Sequence, residues 1–90
     1  MIFPTIHSGG DTAATLLWQL EAAYSALADV IGPLADARPN ARNYYVQGPD
    51  AYYAARDEFA THEAAINAAR DYIMALYEHV DAIAAERARK

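Results

Sequence analysis

Arginines and tyrosines gather in one stretch of the chain, RPNARNYYVQGPDAYY, which runs from residue 38 to residue 53. With Arg56 just beyond it, this stretch holds three of the seven positive charges and four of the seven tyrosines. The guanidinium of arginine binds phosphate or carboxylate through two parallel hydrogen bonds, and it stacks on aromatic rings. Tyrosine rings stack on bases or fill a partner's groove, so the stretch is a candidate binding site. The predicted site residues are Arg38, Asn40, Arg42, Tyr44, Tyr45, Gln47, Tyr53 and Arg56.

The same stretch also has the composition of a turn between two helices. Pro39-Asn40 and Gly48-Pro49 are ordinary turn signals. Arg38 and Arg42 could pair with the nearby acids Asp36 and Asp50. Tyrosines at the end of a helical bundle can cover its core while their hydroxyls stay in water. The residues alone leave both interpretations, a binding site and a plain turn, open.

Metal and nucleophile chemistry finds little support in the sequence. Glu58 and His62 are four residues apart, whereas carboxylate-bridged di-iron bundles use Glu-x-x-His, and no metal site is predicted. The chain has no cysteine, and neither Ser8 nor Ser25 stands in a nucleophile-elbow motif. It also lacks a phosphate loop and a dinucleotide fingerprint. We therefore expect a protein that is not an enzyme and that has no cofactor.

Length and charge limit the remaining classes of function. Ninety residues predict a single domain, and the formal charge of −5 argues against general binding to nucleic acid or anionic membranes. The N-terminal segment MIFPTIHSGG has no basic region, and Pro4 and Thr5 interrupt its apolar run, so no signal peptide is expected. No apolar run approaches the 18 or so residues that a membrane-spanning helix needs. The expected location is the cytoplasm.

The apolar spacing predicts a first helix over residues 11–37, after an N-terminal arm at residues 1–10. Ser8 or Asp11 is the candidate N-terminal cap. Gly32-Pro33 should kink this helix without ending it, because the apolar spacing keeps its phase beyond the proline. The large apolar residues recur every three or four positions, at Leu17, Leu20, Tyr24, Leu27, Ile31 and Leu34.

A second, longer helix is predicted over residues 49–88, after a linker at residues 38–48. Pro49 suits the first position of a helix. The apolar seam of this helix is Tyr52, Ala55, Phe59, His62, Ile66, Ala69, Ile73, Leu76, Val80 and Ile83, with the spacing of a coiled coil. His62 is its one ionisable member, and we expect it to set register or sense pH. The fold class is therefore all-α, an antiparallel helical hairpin with one long coiled-coil-like helix.

The lengths of the two helices predict a homodimer. At 1.5 Å per residue the first helix is about 36–40 Å long and the second about 60 Å, so the first covers the second only to about Ile73. A large apolar strip does not stay exposed on a soluble monomer. Either the N-terminal arm or a second chain must cover it, and we expect a homodimeric bundle. The predicted dimer interface is Ile73, Leu76, Tyr77, Val80 and Ile83.

The segment PNARNYYVQG resembles a motif of small phage and prophage proteins of unknown function. Their usual form is Pro-Asn-x-Arg-Asp-Tyr-Tyr-x-Gln-Gly followed by a long helix, and this chain has Asn43 where aspartate is common. The resemblance implies a phage setting, hence the cytoplasm of a host cell, and a helical hairpin. It implies no biochemical activity. The match runs through Pro39, Asn40, Arg42, Tyr44, Tyr45, Gln47 and Gly48.

Three kinds of function stay open on this basis. Small acidic, alanine-rich helical proteins of phages often inhibit host defence, so the leading expectation is a non-catalytic binding protein of that kind. In one form, the arginines of the stretch hold the phosphates of a nucleotide signal while its tyrosines stack on the base. In another, Asp57, Glu58 and Glu63 help the acidic helix faces to mimic nucleic acid or to plug a basic cleft on a host protein, as some anti-CRISPR proteins do. The plainer alternative is a structural or assembly protein of the phage.

Overall fold

Two long α-helices form the protein, and they pack against each other as an antiparallel hairpin. The computed structural model describes residues 1–89, where α1 spans Ala13–Asp36 and α2 spans Ala51–Ala88. Two 3₁₀ turns, Ala41–Asn43 and Tyr45–Gln47, lie in the linker between them. The predicted all-α helical hairpin is confirmed. It measures 65 × 22 × 21 Å, and neither helix within residues 1–89 has the length and hydropathy to span a membrane.

The first helix begins at Ala13, two residues later than the sequence predicts. Its N-terminal cap is Thr12, whose hydroxyl oxygen accepts a hydrogen bond of 3.1 Å from the backbone N–H of Thr15. Neither Ser8 nor Asp11 takes this role; residues 7–10 form a turn of their own, closed by a 3.1 Å bond from the N–H of Gly10 to the carbonyl of His7. At its other end α1 passes through Pro33 and continues to Asp36, as the unbroken apolar spacing indicated.

The second helix also begins two residues later than predicted, because Pro49 and Asp50 belong to the turn before it. Nine of the ten predicted seam residues are buried or half-buried, but His62 is exposed. The prediction that His62 lies in the seam is therefore wrong. Glu63 takes the inward place at this turn of the helix, where Arg38 binds its carboxylate. From Phe59, a step of four residues to Glu63 and then three to Ile66 fits the helical period as well as three to His62 and then four to Ile66. The ion pair with Arg38 shows that Glu63 takes the inward position.

Helix α1 reaches further along α2 than the helix lengths predicted. The guanidinium of Arg70 lies 5.2 Å from the centroid of the Tyr24 ring. Further along, Leu16 and Leu20 line one cavity together with Leu76. The expectation that coverage stops at about Ile73 is thus wrong. The linker accounts for this difference. Its 3₁₀ turns lie beside the first turns of α2, so α1 packs nearer the C-terminal half of α2.

The N-terminal arm lies along that C-terminal half of α2. The ring of Phe3 stacks on His79 with centroids 4.3 Å apart and planes 18° from parallel. The carbonyl of Ile6 accepts a 3.0 Å hydrogen bond from Arg87. Between these two contacts lies Val80, the one fully buried side chain among residues 1–89. Val80 belongs to the predicted dimer interface, and within residues 1–89 it has no exposed surface with which to contact a second copy.

Candidate functional site

The linker at the closed end of the hairpin is held by its own hydrogen bonds. The side-chain oxygen of Asn40 accepts a 3.0 Å bond from the N–H of Arg42 and so caps the first 3₁₀ turn. The second turn is closed by a 2.9 Å bond from the N–H of Gln47 to the carbonyl of Tyr44. Gly48 follows with a φ of 115°, which L side chains rarely adopt, and this lets the chain turn into α2. The linker therefore forms an ordered tip at the closed end of the hairpin.

Arg38 is committed to an ion pair inside the chain. Its Nε donates to both carboxylate oxygens of Glu63 at 3.0 Å, and its Nη2 donates to Oε2 at 2.8 Å. This hydrogen bonding lowers the pKa of Glu63 from its usual 4.5 and raises the pKa of Arg38. The side chain of Glu63 is only 19% exposed. Arg38 therefore ties the linker to α2, and its partner is Glu63 rather than Asp36.

Arg56 is also engaged by its neighbours on α2. Its guanidinium donates to the carboxylate of Asp57 at 3.2 Å and lies 5.1 Å from the centroid of the Tyr53 ring. Tyr53 in turn meets Tyr52 edge to face, with centroids 5.4 Å apart. These four residues form one largely exposed cluster on the first two turns of the helix. Contacts within this cluster account for the positions of Tyr52 and Tyr53 without a ligand.

The outermost part of the tip carries large, exposed side chains. Tyr45 is 72% exposed and Val46 is 76% exposed, and both belong to the second 3₁₀ turn. Gln47 beside them is exposed as well. The side chain of Arg42 forms no hydrogen bond or ion pair with any residue from 1 to 89. Of the three predicted arginines, Arg42 is thus the one whose guanidinium these residues leave unengaged.

A cavity of about 270 Å³ lies where the linker meets α2. Of the predicted site residues, only Tyr44 lines it, and the sequence-based prediction did not group Tyr44 with the residues of α2 that share this cavity. The sequence did contain evidence that these α2 residues lie together, because they recur every three or four positions and so share one helix face. The cavity is lined by Pro39, Tyr44, Ala55, Glu58, Phe59 and His62.

The closed end is not electropositive once the helix α2 is included. Its three arginines stand among four carboxylates, those of Asp50, Asp57, Glu58 and Glu63. Two of the arginines are paired with two of these acids. Across residues 1–89, no three His, Cys, Asp or Glu side chains are grouped so that they could hold a metal ion. The predicted residues therefore form two separate groups, the exposed residues of the tip and the arginines that are paired with carboxylates. They do not line one phosphate pocket.

Comparison of the chain with protein-family models, with curated proteins and with solved structures found no match.

Proposed function

We propose that this chain is a non-catalytic protein-binding domain of the kind that phages use to inhibit host defence, and that it contacts its partner through the closed end of the hairpin. The observation that carries this proposal is the exposure of Tyr45 and Val46 next to the unengaged Arg42. Tyrosine and arginine are enriched among the residues that dominate binding energy in protein interfaces. The phage setting rests on the resemblance of residues 39–48.

The order in the tip supports binding as well. Its backbone is already fixed by the Asn40 cap and by the bonds of both 3₁₀ turns. Ordering a loop costs free energy on association, and a loop that is ordered beforehand avoids part of that cost. Tyr45 and Val46 are thus presented as rigid, exposed anchors.

A protein partner is favoured over a nucleotide by the charges. Sequestering a nucleotide signal needs several free guanidiniums, whereas Arg38 and Arg56 are bound to Glu63 and Asp57. The surrounding carboxylates repel phosphate. Nucleotide binding remains a second candidate because Arg42 and Tyr45 stand together on the tip. A structural role in the phage particle, or mimicry of nucleic acid by the acidic helix faces, would not require the tip at all.

Native mass spectrometry of the protein after incubation with a host extract tests the proposal. We expect a discrete protein mass to be gained, to be lost in Val46→Asp, and to persist in Ala82→Asp. Ala82 is exposed on α2, so this control adds the same charge far from the tip. A gained mass of nucleotide size that is lost in Arg42→Ala would favour sequestration instead. Binding that survives both Val46→Asp and Tyr45→Ala would overturn a role for the tip.

The inhibitory part of the proposal needs a separate measurement. A host strain that expresses the protein should be plated with a phage that its defence systems normally restrict. We expect wild-type protein and Ala82→Asp to raise the plating efficiency and Val46→Asp to leave it low. If none of a panel of defence systems responds to the wild-type protein, the inhibitor assignment fails and a structural role becomes the better proposal.

We also propose a homodimer, now on the basis of exposed surface rather than helix lengths. A chain with one fully buried side chain among residues 1–89 has little core of its own. Trp18 is 70% exposed, and it shares a face of α1 with Glu21 and Ser25. These two residues line a groove of about 280 Å³ together with Tyr24, Met74 and Tyr77. We therefore place the second copy on this face, where Tyr77 is the one residue shared with the interface that the helix lengths predicted.

Light scattering on a size-exclusion column tests the dimer. We expect wild-type protein and Ala82→Asp to elute as dimers and Trp18→Asp to elute as a monomer that keeps its helical circular dichroism. Desolvating a charge at the centre of an interface is costly, which is why aspartate is the chosen replacement. A wild-type monomer across the micromolar range would overturn the proposal.

A further inference from the structure

The cavity between the linker and α2 combines two aromatic rings with an acid. Tyr44 comes from the linker, and Phe59 comes from the third turn of α2. Glu58 and His62 complete the polar side of the lining. We infer that this cavity takes a lysine or arginine side chain of the protein partner, an inference that rests on the proposed function. It specifies the chemistry of that partner, a basic side chain beside an apolar patch.

The charges near the cavity support a cation. Three acids lie within two turns of α2, and two of them, Asp57 and Glu63, are paired with arginines of the chain. Glu58 is the exception, since its carboxylate has no ion-pair partner anywhere in residues 1–89. A guanidinium or ammonium in the cavity would supply the missing partner through a charge-assisted hydrogen bond.

The aromatic rings support the same class of occupant. A cation within about 6 Å of a ring centroid is attracted by the negative face of the ring, and the attraction grows as water is excluded. Tyr44 and Phe59 bring two such rings to the cavity that also holds Glu58. A purely apolar group would gain from the rings but would desolvate the carboxylate without compensation. A basic side chain satisfies both parts of the lining.

Size and charge favour a small cationic occupant. The volume of about 270 Å³ is below the roughly 300–1,000 Å³ that is typical of pockets for drug-sized ligands, and a single side chain suits it better. A phosphate or carboxylate would meet the negative charge of Glu58. The formal charge of the whole chain, −5, also draws a basic partner toward it.

The cavity and the exposed part of the tip are adjacent in sequence. Tyr44 lines the cavity, and the next two residues are the exposed Tyr45 and Val46. We expect a partner that inserts a basic side chain beside Tyr44 to contact Tyr45 and Val46 with its neighbouring residues. The expected epitope is a lysine or arginine flanked by apolar side chains.

The cation site can be tested without knowing the partner. The probe is Nα-acetyl-arginine amide, titrated into ¹⁵N-labelled protein and followed by the amide resonances of Tyr44, Glu58 and His62. Nα-acetyl-citrulline amide, which has nearly the same shape but no charge, is the matched probe. We expect saturable shifts with arginine, with a dissociation constant on the order of 1–10 mM, and at least fivefold weaker binding in Glu58→Gln. Glu78→Gln, an exposed acid of α2 outside the cavity lining, should bind the probe as wild type does.

Several results would overturn the inference. They are the absence of saturable shifts with arginine, equal shifts with citrulline, and equal weakening by Glu78→Gln and Glu58→Gln. Failure of the proposed function looks different, because the probe would then bind while the host extract yields no protein lost in Val46→Asp. The reverse pattern, a protein that is lost in Val46→Asp but kept in Glu58→Gln, with no shifts from the probe, would reject the cation site and leave the tip as the binding surface.

Discussion

Arg38 and Glu63 are joined by three hydrogen bonds of 2.8 to 3.0 Å, across 25 residues of sequence. Arg38 follows α1 by two residues, and Glu63 lies 12 residues beyond the start of α2. The pair therefore determines where the end of α1 rests against the second helix. It also turns an inward-facing acid, which would be costly to desolvate alone, into a contact that fixes the register of the hairpin.

Removal of the Glu63 charge should loosen the closed end. We expect Glu63→Gln to lower the midpoint of thermal unfolding by about 2–6 °C at pH 7, because Arg38 loses its ionic partner while the shape of the side chain is kept. Glu78→Gln is the matched control, since Glu78 is exposed on the same helix. Differential scanning calorimetry gives both values. Equal midpoints for the two variants would show that the pair contributes nothing to stability.

The pH dependence of this effect has a definite sign. The pKa of Glu63 is lowered from its usual 4.5 by the hydrogen bonds from Arg38. A carboxyl whose folded pKa is lowered stabilises the fold above its unfolded pKa, and this contribution is lost as the pH falls through the folded value. The gap between wild type and Glu63→Gln should therefore be constant above about pH 5 and should close in more acidic buffer. A gap that widens on acidification would contradict the assignment.

The stack of Phe3 on His79 makes the arm a structural element. Phe3→Ala should destabilise the protein by about 1–2 kcal/mol, because it loses the ring pair and part of the cover over the C-terminal half of α2. Hydrogen exchange at residues 79–87 should become faster. Ile2→Ala is the matched control, since Ile2 is 90% exposed and should change neither quantity. Unchanged exchange in Phe3→Ala would show that the arm is not held by this stack.

The fold could be predicted well because periodicity reports which residues face inward. The apolar steps on both helices indicated the helical hairpin, and they also carried α1 correctly through Pro33. Periodicity failed at His62, where steps of three and four residues are equally regular. Only a contact from another part of the chain, the one from Arg38, decides that Glu63 lies inward there.

The candidate site was harder to predict for a related reason. Composition drew attention to arginines and tyrosines that are close in sequence, but ion pairs depend on which residues the fold brings together. Arg38 is neutralised by an acid 25 residues away, and the neighbours of Tyr44 in the cavity come mostly from α2. The coverage of α2 was misjudged because helix lengths alone say nothing about how much chain the linker occupies.

Two glycines should respond in opposite ways to alanine. Gly48 has a φ of 115°, so Gly48→Ala forces an L side chain into an unfavourable conformation and should cost about 1–2 kcal/mol. Gly32 lies inside α1, and a Cβ there would meet nothing within 4 Å, so Gly32→Ala should stabilise by about 0.5–1 kcal/mol. Urea unfolding followed by circular dichroism measures both. Changes of the same sign in the two variants would contradict the backbone described for one of them.

Arg70 contrasts with Arg38 in having no ionic partner. It is half-buried, and no carboxylate in residues 1–89 pairs with it. It lies over the ring of Tyr24, and its Nε is buried without a hydrogen-bond partner. An unpaired, desolvated donor is costly, whereas the aliphatic stem packs favourably. Methionine keeps a stem of similar length and removes the charge.

The two arginines should therefore differ when each is replaced by methionine. The guanidinium of Arg70 also donates long hydrogen bonds of 3.4 Å to Asn67 and to the hydroxyl of Tyr24. We expect Arg70→Met to leave the unfolding midpoint unchanged or to raise it by a few degrees, since the loss of these bonds and of the attraction to the Tyr24 ring is offset by the removal of the orphaned Nε. Arg38→Met should lower the midpoint, because the carboxylate of Glu63 loses three charge-assisted hydrogen bonds. Parallel thermal melts at pH 7 compare the two. A drop of more than about 4 °C in Arg70→Met would mean that its guanidinium, and not its stem, holds α1 against α2 at this point.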